Sequence, residues 1–424
     1  MPPFRLAARL SAIRESPSMK AAQTARDLKA AGHDVIDLAL GEPDLDTPDH
    51  VKDAAIDAIR AGRTKYTPVN GTPALRSAVV AHTNARTGHA YGPENVVVGG
   101  GAKQVIFLAL MATVEAGSEV LVPTPYWVSY PDMVAAHGGR PVLVECGEEE
   151  GFLLTADQLE AAITDRTRWL VLNVPGNPSG ALYPAERLAA LAAVLRRHPQ
   201  VLVLCDEIYD QIVYTEEPPA TLLTVAPDLA DRVLLVNGAS KAYAMTGWRI
   251  GWGLGPVPLV DAINVLQSQS STCPSSISQA AVVAALTGDQ GFVTTSRDAY
   301  RRRRDLLVAA LAGVDGLTPI TPEGSFYCFV GCRDLIGRST PGGDVLGTDE
   351  DVALYLLDQA GVATVQGSAY GTSPYLRLSF ATAEPTLLEA ARRIEVAVER
   401  CSLDPAHPRS AGGPRDQPQP RTPR

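Results

Sequence analysis

No apolar run in this sequence is long enough to cross a bilayer, which takes about 20 consecutive residues. Its start, MPPFRLAARLSAIRESP, is broken by Arg5, Arg9 and Arg14 and has no uninterrupted apolar core. It therefore does not read as a secretory leader, and a cytoplasmic location is the expectation. Positive charge is also short: 37 Lys and Arg stand against 47 Asp and Glu, a formal net charge of -10. Nucleic acid or an anionic membrane would select a basic face, so neither is expected as a partner, and any anionic ligand must be met by a few local cations. Metal-ligand patterns are missing too. The six cysteines contain no CxxC pair and the seven histidines are scattered, so no metal is expected and the cysteines read as free buried thiols. No internal repeat of roughly 20 to 50 residues is evident.

What is present is a chain of 424 residues, 46% hydrophobic and 20% charged, enough for a sizeable core and about two or three domains. Continuous Val/Leu runs recur at VLVPT (120–124), RPVLVEC (140–146), RWLVLNVP (168–175), VLVLCDEIY (201–209) and RVLLVNG (232–238). Amphipathic stretches such as AERLAALAAVLRRH (185–198) lie between some of them, the pattern of a mainly parallel sheet covered by helices on both sides. After about residue 300 the strands are shorter: GSFYCFV (324–330), GVATVQG (361–367) and YLRLSFA (375–381) fit a smaller α+β domain. The expected division is an N-terminal arm with part of the small domain over 1–45, a large domain over 46–300, a small domain over 301–403, and a disordered tail, rich in Pro, Gly and Arg, over 404–424. YRRRRDLL, in the helix at the boundary, reads as a solvated face.

Ligands of open α/β sheets collect beyond the C-terminal ends of the strands. Asn177, Asp206 and Lys241 each end or follow an apolar run. An aspartate entering the top of a buried strand is costly unless it caps a helix or meets a buried cation. A lysine in a dry pocket loses affinity for its proton and becomes a usable amine nucleophile. Together they meet the needs of pyridoxal 5'-phosphate chemistry, which requires an amine to hold the cofactor and a carboxylate to keep its ring nitrogen protonated.

On these motifs the chain, from about residue 10 to residue 400, resembles the fold-type I, class I/II aminotransferases of the aspartate aminotransferase family, in their bacterial aspartate-using branch. The resemblance implies an α/β fold with a large cofactor domain and a small α+β domain, pyridoxal 5'-phosphate as cofactor, and a homodimer with shared active sites. In GASKAYAMTGWRIGW it makes Lys241 the Schiff-base lysine, Arg249 the arginine on the cofactor phosphate and Ser240 a further hydroxyl on it; Gly238 replaces a hydroxyl common in relatives. In VLCDEIYDQIVY, Asp206 becomes the partner of the ring nitrogen and Tyr209 that of the ring's phenolic oxygen. NVPGNPSG supplies Asn177 to the same oxygen, with Val174 in place of a proline, and PTPYWVSYP supplies Trp127 to stack on the ring. GGGAKQVIF follows VVV and opens a helix, so Gly101 and Ala102 turn backbone N–H groups toward the phosphate. Lys103 is either a reader of an acidic substrate side chain or a surface lysine in the first helical turn. Gly41 in ALGEPDLDTP lets its backbone approach the substrate, and Arg377 in YLRLSF grips the α-carboxylate, with a cross-strand ion pair as its bland alternative. Tyr66 in KYTPVNGTPALR reaches the phosphate of the other subunit, and Thr272, beside Cys273, reaches across similarly.

The implied reaction moves an amino group between an L-amino acid, aspartate or an aromatic one, and a 2-oxo acid such as 2-oxoglutarate. Ser16 and Ser18 lie where relatives read the side chain, although Met19 and Lys20 alter the surroundings. One alternative keeps the cofactor and changes the reaction to that of a lyase, a decarboxylase or an amino-acid-oxidising enzyme. A regulator built on the same domain would need a DNA-binding module, for which the acidic chain offers no basic face. A nicotinamide-dependent dehydrogenase would need GxGxxG, which GGGAK does not supply.

Overall fold

The computed structural model describes residues 4–403, so the expected disordered tail, 404–424, lies outside the described residues. The Val/Leu runs fold as strands of one seven-stranded sheet: β1 (Val96–Gly99), β2 (Glu119–Pro123), β3 (Arg140–Val144), β4 (Thr167–Asn173), β5 (Leu202–Asp206), β6 (Val233–Gly238) and β7 (Gly251–Leu254), in the spatial order β1-β7-β6-β5-β4-β2-β3. From β6 through β5, β4 and β2 to β3 the pairing is parallel; β7 runs antiparallel to both β6 and β1. The runs are apolar throughout because both faces are covered. Leu170, Leu172, Val203 and Cys205 face one core, whereas Trp169, Val171 and Leu204 face the other. Each Val or Leu so buried contributes roughly 1.5–3 kcal/mol relative to exposure.

A second sheet contains β8 (Thr318–Ile320), β9 (Tyr327–Gly331), β10 (Val365–Gln366) and β11 (Tyr375–Ser379), all antiparallel, in the order β10-β11-β9-β8. The segment GVATVQG is thus divided: Val362–Ala363 pairs with Ile36–Asp37, and only Val365–Gln366 joins this sheet. The N-terminal segment is in this way tied to the C-terminal one. A single helix, Gly291–Leu311, runs unbroken past residue 300.

YRRRRDLL is not a uniformly solvated face. Arg302 is exposed, but Arg303 and Arg304 have side chains only 11% and 15% exposed. Arg303 pairs with Asp44 at 2.7 Å, while Arg304 lies 4.8 Å over the Tyr214 ring and donates to the Pro322 carbonyl at 3.1 Å. Their long apolar stems and planar heads join the helix to its neighbours. No described helix is long and apolar enough to cross a membrane.

Candidate active site

The polar residues gather at the C-terminal ends of the parallel strands, where loops and helix N-termini offer backbone groups no longer used by the sheet. After β1 the chain turns through Gly101, whose φ of +98° favours glycine, and enters the helix Ala102–Thr113. A Cβ at Gly101 would collide with the Arg249 guanidinium, so the glycine lets that cation lie against the start of the helix. Arg249 donates to the carbonyls of Thr246 at 2.7 Å and Gly100 at 3.3 Å; among the described residues no carboxylate pairs with it. A helix N-terminus beside an arginine without an anionic partner is a place for an anion.

Asp206, the last residue of β5, is 4% exposed. Its Oδ2 accepts from Tyr130 Oη at 2.7 Å and its Oδ1 from the Ile208 N–H at 3.3 Å, both neutral donors. Burial pushes its pKa up to about 6, against the lowering effects of those two bonds and of the Lys241 charge. Lys241 follows β6, and its Nζ donates to the Gly41 carbonyl at 2.6 Å. Burial brings its pKa down to about 8; the Glu42 charge works against this, and those of Arg377 and Arg249 add to it. At pH 7 such an amine is neutral roughly 300-fold more often than an ordinary lysine.

Arg377 sits mid-strand in β11 and is 2% exposed. Its cross-strand neighbours are Phe329 and Val365, so the cross-strand ion pair is absent. Nη1 donates to Asn177 Oδ1 at 3.0 Å, Nη2 donates to the Ala39 carbonyl, and Nε has no partner. The Tyr327 and Tyr370 rings lie 4.3 and 5.2 Å from the guanidinium carbon. A buried guanidinium with two neutral acceptors and two aromatic faces still lacks a counter-charge, which a carboxylate ligand would provide.

One cavity of about 630 Å³ is lined by Gly41, Ala102, Lys103, Trp127, Asn177, Asp206, Tyr209, Ser240, Lys241, Arg249 and Arg377, with Ser16 and Ser18 on its wall. Gly101 abuts it through Arg249. Lys103 Nζ lies 4.7 Å from the Trp127 ring centroid, and burial together with the Arg249 charge lowers its pKa. Ser18 Oγ is 2.9 Å from Tyr370 Oη. Two residues stand outside. Tyr66 is 87% exposed and does not line the cavity, nor does Thr272, which is exposed at a φ of +66°.

Several participants had no distinct signal in the sequence. Tyr327 Oη lies 2.8 Å from Tyr209 Oη, and a Cβ at Gly41 would collide with that Tyr327 hydroxyl. Tyr130 holds Asp206, Asn173 Nδ2 donates to the Asp206 carbonyl at 3.0 Å, and Glu42 influences Lys241. Gly238 has a packing reason: an added Cβ would lie 3.1 Å from Gly251 Cα, Ile208 Cδ1 and the Ile250 carbonyl. A hydroxyl side chain would not fit there without a shift.

The residues fit pyridoxal 5'-phosphate. The buried Asp206 carboxylate has only neutral donors and suits a cationic ring nitrogen, Lys241 offers an amine more readily deprotonated than an ordinary lysine, and the Gly101–Arg249 junction suits a phosphate.

Comparison with known proteins is consistent with this chemistry. A family model described as aminotransferase class I and II matches residues 33–394. The aspartate aminotransferase of Rhizobium meliloti (strain 1021) is 50% identical over 399 residues, 94% of this chain and 97% of that protein. The aspartate/prephenate aminotransferase of Cereibacter sphaeroides is 49% identical over 386 residues, 91% of this chain and 96% of that protein. Among solved structures, the Rhizobium meliloti aspartate aminotransferase superposes with a TM-score of 0.91 over 94% of this chain and 100% of that one, at 50% identity. The Thermus thermophilus aspartate aminotransferase with maleate gives 0.87 over 93% and 100%, at 40% identity.

Proposed function

The chain belongs to the class I and II aminotransferases, enzymes that use pyridoxal 5'-phosphate, and from that premise we propose that it transfers the amino group of aspartate to 2-oxoglutarate. The observation that carries the choice of substrate is a pair of cations in one cavity: Arg377, buried without a counter-ion, and Lys103 over Trp127. Two cations suit a substrate with two carboxylates.

Pyridoxal 5'-phosphate supplies an electron-withdrawing ring that takes up the negative charge left when a proton leaves the substrate's α-carbon. Asp206 holds the proton on the ring nitrogen and so keeps that ring cationic as charge develops. Arg249 with the N–H groups of Gly101 and Ala102, aided by Ser240, would hold the phosphate, and Trp127 would offer its ring for stacking. Tyr209 and Asn177 donate to the phenolic oxygen. Arg377 fixes the α-carboxylate beside Gly41, and the Lys241 amine carries the proton to and from the α-carbon.

Lys103 then meets the distal carboxylate. Lys103→Ala should raise the KM for aspartate by about 10- to 100-fold and leave that for phenylalanine nearly unchanged, as steady-state assays with the two donors will read. An equal loss for both donors would remove Lys103 from side-chain recognition. A second reading, prephenate chemistry beside that of aspartate, draws on the aspartate/prephenate names of several relatives. The lyase, decarboxylase or oxidising alternative gains nothing from these relatives.

The proposal includes a homodimer. A tyrosine that is 87% exposed and does not line its own cavity fits a Tyr66 that reaches the phosphate of the partner subunit, and the exposed Thr272 fits the same role. A sedimentation measurement that found a fully active monomer would contradict this. A cytoplasmic site of action also belongs to the proposal; the free state of all six cysteines suits a reducing compartment, and cell fractionation tests it.

A further inference from the structure

We propose that Tyr327 is a positioning residue for the reaction, linking the carboxylate-binding Arg377 to Tyr209 through a hydrogen bond between two tyrosine hydroxyls. This rests on the reading above, in which Arg377 takes the α-carboxylate and Tyr209 the ring oxygen of the cofactor.

Tyr327 opens β9 and is 1% exposed. Phe329 is directly opposite Arg377 in the antiparallel pair, so Tyr327, two residues earlier, lies diagonally from Arg377 on the same face of the sheet. This places the Arg377 guanidinium carbon 4.3 Å from the Tyr327 ring centroid. At the other end of the ring, Tyr327 Oη is 2.8 Å from Tyr209 Oη, with the two rings at 82°. The Gly41 backbone confines that hydroxyl, and the Gly41 carbonyl is the acceptor for Lys241. Carboxylate recognition, the ring-oxygen donor and the backbone that holds the reactive amine thus meet around one tyrosine side chain.

Each hydroxyl has one hydrogen. If Tyr209 donates its own to the ring oxygen, it can only accept from Tyr327, which fixes Tyr327 as the donor of the 2.8 Å bond. Burial pushes both hydroxyls above the ordinary tyrosine value, so both keep their protons. A donated bond draws electron density from the Tyr209 oxygen and strengthens its own O–H as a donor. The Arg377 cation over the Tyr327 ring pulls in the same direction, and a substrate carboxylate that neutralises the guanidinium weakens the pull. Occupancy of the carboxylate site is thereby felt at the ring oxygen. The charged and titratable groups facing the tyrosine pair are Arg377 and Asp206, with Tyr300 and Tyr370 around Tyr327 and Lys241 on the same cavity wall.

The test is a pH titration of the absorbance of the Lys241-bound cofactor in the holoenzyme, with and without succinate, a dicarboxylate that has no amino or keto group. Donors to the ring oxygen stabilise its anion once the neighbouring proton has left, so their loss raises the midpoint. Tyr327→Phe, which keeps the ring and its packing, should raise the midpoint by about half a pH unit and reduce the succinate-induced change. Tyr209→Phe should raise it further, and the double variant should match Tyr209→Phe alone. An unmoved midpoint in Tyr327→Phe, or the same increment in the Tyr209→Phe background, overturns the proposal. If Tyr209→Phe itself leaves the midpoint unchanged, the assignment of Tyr209 to the ring oxygen fails first, and this inference falls with it.

Discussion

Lys241→Ala will give a folded protein with no turnover and no absorbance from a covalently held cofactor. The amine is doubly required, to hold pyridoxal 5'-phosphate and to move the α-proton, and loss of the second role alone costs about 10²–10⁴-fold in rate. The fold does not depend on it. Burial lowers the pKa of Lys241 to about 8, so this lysine is held in the cavity at a cost, and its removal should leave melting of the cofactor-free protein unchanged or slightly improved. Borohydride reduction followed by peptide mass mapping locates the attachment directly. A variant that retains turnover, or a cofactor found on another lysine, would refute the role given to Lys241.

Asp206→Asn is expected to act with opposite signs on stability and on activity. The carboxylate has a pKa of 3.8 when free and about 6 in the folded, cofactor-free protein. Below pH 3.8 it is protonated in both states. Between 3.8 and about 6 the folded protein keeps a proton that the unfolded chain has released, so stability falls as pH rises through that window. At pH 7 the full deficit is present, about 3 kcal/mol. Asparagine still accepts the Tyr130 bond and carries no charge, so denaturant titration of the cofactor-free variant at pH 7 should show a gain approaching that size, which vanishes near pH 4. With cofactor bound, the same change removes the counter-charge of the ring nitrogen, and kcat should fall by about 10²–10³-fold. A destabilised cofactor-free variant with undiminished kcat would contradict both halves.

Residues whose chemical type is costly in their sequence setting were legible without coordinates. A lysine among small residues after a buried strand, an aspartate at the end of VLVLCD and an arginine inside YLRLSF each raise a question of charge, and all three line one cavity. The sheet was legible because strands covered on both faces must be apolar throughout. The partners of these charges were not legible. Tyr130 lies 76 residues from Asp206, and Tyr327 lies 118 from Tyr209, distances that only the fold closes. As a tyrosine in an apolar strand, Tyr327 resembles any core aromatic. β7 was hidden because IGWGLG is rich in glycine, which weakens a strand signal. Those glycines are steric: a Cβ at Gly251 would collide with the backbone N of Ala102. The arginine run misled because charge in sequence does not reveal which heads find an aspartate or a tyrosine face.

The central claim is that this cavity transfers an amino group in two halves, and one absorbance measurement on the purified holoenzyme tests it most directly. Aspartate added alone should convert the lysine-bound cofactor spectrum to that of the pyridoxamine form, with oxaloacetate formed one for one, and 2-oxoglutarate added afterwards should restore the starting spectrum. Sustained release of ammonia, pyruvate or carbon dioxide from the amino acid, with no need for a second oxo acid, would contradict it.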